Sequence, residues 1–157
     1  MKPVKINKAL ARKVLEIVDH GLSHGLGKQE PGKMCIEAAV CYAMGLPHSD
    51  TPPCVSRAVR ALKIRLNDSK WSSDIARAKG MRRLAIAQLG TADAIDDKEF
   101  VKRVVHLVIS KMVPRALRYA AKVQKKQEHK DALEAAAVEC ERNPCRESAL
   151  AAKNAAA

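Results

Sequence analysis

Three of the chain's five cysteines, a histidine and an aspartate crowd into residues 25–55, GLGKQEPGKMCIEAAVCYAMGLPHSDTPPCV. The same stretch holds four of the seven prolines and four of the seven glycines, so it is unlike the helical sequence around it. Cys35 follows Pro31-Gly32 in the first turn of a predicted helix. A helix N-terminus favours the thiolate, which is the nucleophilic form of cysteine. His48 (or His24) can then act as base, with Asp50 orienting it, as cysteine-dependent catalysis requires. Cys35, His48 and Asp50 are therefore the candidate catalytic set of a small thiol enzyme. The competing reading is that Cys35 and Cys41 are small buried hydrophobes, the usual role of free cysteine. No stretch carries a protease or transferase signature.

Zinc is a second possible chemistry, because Cys35, Cys41, His48 and Cys54 are suitable ligand types. Their spacing lacks the tight pairs of zinc sites, and on one helix Cys35 and Cys41 point about 120° apart. No metal and no cofactor is expected. Gly21, Gly25, Gly27 and Gly32, with Lys28 and Lys33 nearby, can offer backbone N–H groups to an anion. Neither a Walker A nor a strand-flanked GxGxxG pattern accompanies them, which leaves a flexible connector as the simpler reading.

The formal net charge is +12, with an isoelectric point near 9.7. A surplus of that size repels itself and calls for an anionic partner. The cations cluster on predicted helices, first at Arg57, Arg60, Lys63, Arg65, Lys70, Arg77, Lys79, Arg82 and Arg83 against only Asp68 and Asp74, then at Lys111, Arg115, Arg118, Lys122, Lys125, Lys126 and Lys130. Such helices suit phosphate contacts, which give affinity without reading sequence. Residues nominated for nucleic-acid contact are Arg57, Arg60, Lys63, Arg77, Arg82, Arg83, Lys122, Lys125 and Lys126. Aromatic residues make up only 3% of the chain, so no base-stacking platform is expected. An acidic protein or nucleoprotein surface would satisfy the same charges.

Helical periodicity must position these groups. Asn7 caps a first helix to about residue 20, and a short helix follows over 34–44. Pro52-Pro53 open a third, with Val55, Val59, Leu62 and Leu66 inward and Arg57, Arg60 and Lys63 on the opposite face. Ser72 or Ser73 caps a fourth helix, closed by Gly90. Asp96 with Glu99 forms a capping box for a fifth, and Ile95 staples to Phe100. Pro114 then kinks that helix or starts another, Asn143-Pro144 interrupts the next, and the Ala-rich end reads as a frayed helix or disordered tail. The expectation is an all-α protein, a compact bundle of about five to seven helices over residues 1–113. A basic, then Ala-rich, C-terminal helical region follows over 114–157, and truncation after Asp131 is expected to leave a folded core.

The run PGKMCIEAAVCYAMGLPHSDTPPCV, followed by RALKIRLNDSKWSSDIARAKGMRRLAIAQLG, resembles a set of uncharacterised small proteins of bacteria and their phages. It is also similar to a bacterial group of unknown function pairing a Cys-x-x-small-Ala helix with a Trp-Asn-Asp turn. Cys35, Ala38, Ala39, Asn67, Asp68 and Trp71 correspond, though the tryptophan here follows the Asn-Asp. The resemblance covers residues 25–90 and brings no activity, but it implies a phage or mobile-element accessory role. The first expectation is thus a non-enzymatic basic protein contacting nucleic acid or a nucleoprotein complex. The alternatives are the thiol enzyme and an inhibitor acting by protein contact alone. The chain has neither a signal-peptide pattern nor the ~20-residue apolar run of a membrane span. Five cysteines, an odd number, suit reducing cytoplasm (a host's, if phage-encoded) with no membrane partner.

Overall fold

A computed structural model describes residues 5–156, so the first four residues of the charged N-terminus and Ala157 lie outside the described part. The protein is all-helical: among the described residues there is no strand, only an isolated antiparallel bridge between Gly27 and Met34. No described helix is long and apolar enough to cross a membrane. The chain divides into two compact units, residues 1–98 and 99–157. This division falls well before the one expected at residue 113, because Ile109 and Val113 join a core built by the C-terminal helices.

The first unit contains α1 (Lys8–Asp19), α2 (Ile36–Ala43), α3 (Arg57–Asn67), α4 (Asp74–Ala87) and the single turn α5 (Thr91–Ala94). Short polar side chains accept from orphan N–H groups at the starts: Asn7 Oδ1 from Leu10 at 2.9 Å, Ser56 Oγ from Val59 at 3.2 Å and Ser73 Oγ from Ala76 at 3.0 Å. Each such cap stabilises its helix by about 1 kcal/mol. Pro52 and Pro53 precede α3 rather than opening it, and Ser56 sets its start. Helix α1 buries Leu10, Val14, Ile17 and Val18 and packs on α2 and α4. Nearly all of α2 is buried, including Glu37.

The glycine segment is not a flexible connector. Its backbone folds into a tight hairpin, with Lys28 N–H donating to the Lys33 carbonyl at 2.6 Å and Ser23 N–H to Met34 at 3.0 Å. Gly27 has φ of +71°, and a Cβ there would lie 2.1 Å from the Lys33 carbonyl oxygen, so only glycine fits. Between α3 and α4, the Trp71 indole N–H donates to the Leu66 carbonyl at 2.9 Å. Its ring covers Gly80, where an added Cβ would come within 2.4 Å.

The second unit consists of most of α6 (Asp97–Leu107), a π-helical turn (Val108–Met112), α7 (Val113–Val123), α8 (Gln127–Arg142) and α9 (Arg146–Ala155). Its core joins Ile109, Leu117, Leu133, Ala137, Cys140 and Ala152. The Ala-rich end is therefore not a frayed tail. Alanine on facing sides lets the helices pack at short interaxial distance, and the Cys140 thiol reaches the Ser148 carbonyl across the Asn143-Pro144 break at 3.4 Å.

Candidate functional site

Cys35 caps α2 with its own sulfur, which accepts from Ala38 N–H at 3.4 Å. The residue is only 4% exposed, and burial pushes its thiol up from the ordinary value, outweighing the helix N–H groups that pull it down. Cys41 is pushed up to about 11 by the same cause. His48 places Nε2 3.1 Å from the Gly27 carbonyl. Asp50 accepts from Arg60 at 2.7 Å and from Thr51 at 3.1 Å, and Arg60 holds its carboxyl below the ordinary value.

Cys35 and Asp50 do border one small cavity, together with Glu37, Asn67 and Asp68, while His48 is outside it. The cavity measures about 30 Å³, room for about one water and for no organic substrate. A protonated thiol, a histidine turned to a carbonyl and an aspartate held by arginine make no relay. We therefore expect a thiol reagent to label half-exposed Cys145 well ahead of Cys35 in the native protein, with Cys35 reacting as the first unit opens. Equal native rates, followed by mass spectrometry of the labelled peptides, would restore the thiol-enzyme reading.

Among the described residues no three His, Cys, Asp or Glu side chains gather to hold a metal ion. The glycine segment spends its amides internally: Gly25 N–H donates to Asp68 Oδ1 at 2.8 Å, and Lys28 N–H to the hairpin. It does not form an anion cradle.

Two nominated cations are inside the protein. Lys63 is 1% exposed, its Nζ 2.5 Å from Glu37 Oε1 and hydrogen-bonded to Gln88 Oε1. The inward stripe of α3 is Ser56, Val59, Lys63 and Asn67, whereas Leu66 is exposed. The expected apolar stripe was thus rotated by about one residue, and Glu37, alone in the apolar run of α2, is what draws the lysine in. Burial raises Glu37 and lowers Lys63 from their ordinary values, and their mutual attraction only partly offsets it. Glu37 Oε2 has no partner. Arg77, also buried, donates to the carbonyls of Asn67 at 2.8 Å and Leu22 at 2.6 Å and pairs with Asp74. It ties the end of α3 to α4 and the hairpin, a structural task.

Arg60 and Arg82 reach the surface in ion pairs with Asp50 and Asp19, while Arg57 and Arg83 are exposed. The second unit holds the denser array. Residues 102–130 carry nine Lys and Arg against a single acid, Glu128. Lys111, Arg115, Arg118 and Lys122 recur at spacings of four, three and four, so they share one helical side, and with Tyr119 and Glu141 they line a shallow groove of about 440 Å³. Arg118 is fixed there by Glu134 at 2.8 Å and a bidentate contact to Glu141 at 2.6 and 2.8 Å. That contact raises Arg118 and lowers Glu141 from their ordinary values. The Tyr119 ring is 66% exposed, with Lys122 Nζ 5.3 Å from its centroid. Lys125, Lys126 and His129 line a second groove, which shares no lining residue with the first.

The low aromatic content hid Tyr119, whose signal was its position one residue after Arg118 within the basic repeat. Glu37 was likewise missed, although a lone acid flanked by apolar residues on both sides marks a buried partner for a cation. Comparison with protein families, with curated proteins and with solved structures finds no match to this chain.

Proposed function

We propose that the protein is a non-enzymatic nucleic-acid-binding accessory factor, of the kind phages and mobile elements use, and that the basic side of α7 makes the contact. Lys111, Arg115 and Lys122 neutralise phosphates, Arg118 is the braced member of the row, and Tyr119 offers its exposed ring to an unpaired base. Lys125 and Lys126 extend the track into the turn before α8. The observation that carries this reading is the four-cation row with an exposed tyrosine in its groove. Cations at this spacing supply affinity without sequence reading, and an aromatic ring beside them favours single strands. In this reading the first unit is a helical scaffold and the second a basic binding extension.

Binding to a labelled oligonucleotide should weaken steeply with salt. Replacing Lys111, Arg115 and Lys122 by glutamine should reduce the steepness of log K against log salt by about 2 on single strands or about 3 on duplex. Tyr119→Ala should cost about 1–3 kcal/mol on single strands and much less on duplex. Fluorescence anisotropy across a salt series measures both. Protein freed of carried-over nucleic acid that shows no salt-sensitive binding to DNA or RNA overturns the proposal.

A further inference from the structure

Glu37 is fully buried. Its Oε1 meets the Lys63 ammonium at 2.5 Å, and its Oε2 has no hydrogen-bond partner among the described residues. A carboxyl oxygen left unserved away from bulk water is costly, so folded proteins meet such groups with a protein donor or with an internal water. Glu37 also borders the small cavity where the first turn of α2 meets the end of α3 and the loop carrying Asp50. The oxygen without a partner and the cavity thus belong to the same residue.

We infer that this cavity is a specific site for one water molecule, which hydrogen-bonds Glu37 Oε2 and ties the start of α2 to the end of α3. The volume of about 30 Å³ equals the share that one molecule takes in the liquid. A stable internal water also needs roughly two to four polar partners, and the wall supplies them. Cys35 Sγ accepts from Ala38 N–H at 3.4 Å, which leaves its own S–H to donate to the water. Asp50 binds Arg60 and Thr51 through Oδ1. Asp68 binds Gly25 N–H and Asn67 Nδ2 through Oδ1 as well. Each therefore has a second oxygen with which to accept. Water suits this wall better than a cation does. Lys63 and Arg60 already pair with Glu37 and Asp50, and no three acidic, cysteine or histidine side chains gather to hold a metal ion among the described residues. Water both donates and accepts, so it serves the Glu37 carboxyl with or without its proton. The site is independent of nucleic-acid binding.

A high-resolution crystal structure of the full chain should show one ordered water within hydrogen-bond distance of Glu37 Oε2. In solution, oxygen-17 relaxation dispersion counts the waters a protein holds long enough to tumble with it. The double variant Glu37→Leu/Lys63→Met removes both charges of the buried pair together and lines the cavity with an apolar side chain. It should hold one such water fewer than the wild type, with helicity by circular dichroism confirming that it folds. Should the double variant not fold, the electron density of the wild type decides alone. A dry cavity, an Oε2 met by a protein donor, or equal water counts in the wild type and the folded double variant overturns the inference. So does a sodium ion in the site, recognised by a melting temperature higher in sodium chloride than in choline chloride at equal ionic strength.

Discussion

Lys63→Ala destabilises the first unit by about 3–5 kcal/mol, the usual cost of removing one partner from a buried ion pair. The substitution leaves the buried Glu37 carboxyl without its cation, leaves Gln88 Oε1 without a donor, and opens a void where the largest fully buried side chain of the unit stood. Thermal and urea denaturation followed by circular dichroism measure the loss. Replacing both charges, as Lys63→Met with Glu37→Leu, recovers most of it, because an apolar pair of similar size avoids the cost of dehydrating two ions. A loss below about 1 kcal/mol in Lys63→Ala would match a surface residue and contradict the buried placement.

The same pair gives stability a distinctive pH profile. Glu37 is held above its ordinary 4.5, so its contribution is fully present below that pH and is lost as pH rises through the folded value. Asp19 and Asp50 are held below 3.8 by their arginines, and their contributions are present above that pH and lost as pH falls through their folded values. Lys63, held below 10.5, makes the unit more stable as pH climbs from its folded value toward that figure. Glu37→Gln should abolish the decline just above pH 4.5 and leave the acid-side loss due to the aspartates in place.

Truncation after Asp131 unfolds the second unit. It removes Leu133, Ala137, Cys140 and Ala152, leaving Ile109 and Leu117 with no opposing core. Alanine buries little area per residue, which is why composition alone suggests a dispensable tail. The structure corrects that estimate, because these alanines close the α7–α8 and α8–α9 contacts around two leucines and an isoleucine. Hydrogen exchange should show amide protection across residues 109–123 lost in the truncated chain and present in the full one. Protection that survives truncation would mean that α7 holds its structure without α8.

Local signals announced the longer helices and several of their limits, Asn7 and Ser73 as caps and Asn143-Pro144 as a stop, whereas α4 ends at Ala87 and Gly90 instead precedes the unexpected turn α5. These depend on neighbours within a turn or two, so they can be read along the chain. The direction each helix faces could not be read that way at α3. Periodicity assumes that apolar residues point inward, and Lys63 breaks the assumption through a partner 26 positions earlier and another 25 later. Arg77 was placed on the surface for the same reason, its acceptors being carbonyls of the hairpin and of α3's last residue. The candidate contact row fared differently. Lys122, Lys125 and Lys126 stood out by type and spacing, but the ion pairs that occupy Arg60 and Arg82 involve acids elsewhere in the chain. With Lys63 and Arg77 buried and Arg60 and Arg82 paired, Arg57 and Arg83 are the exposed nominees of α3 and α4, whereas along the π-helical turn and α7 Lys111, Arg115 and Lys122 flank the doubly paired Arg118.

Trp71, pinned by the Leu66 carbonyl and pressed on Gly80, is the chain's single indole. Excited at the red edge of protein absorption, the molecule emits from the first unit alone, and residues 99–157, whose aromatic rings are Phe100 and Tyr119, are dark in that channel. Separation of α3 from α4 bares the ring to water and shifts its emission to longer wavelength, whereas far-ultraviolet dichroism registers every helix at once. Two optical signals thus view different portions of one chain, and any gap between their denaturation curves measures how separately the two units come apart.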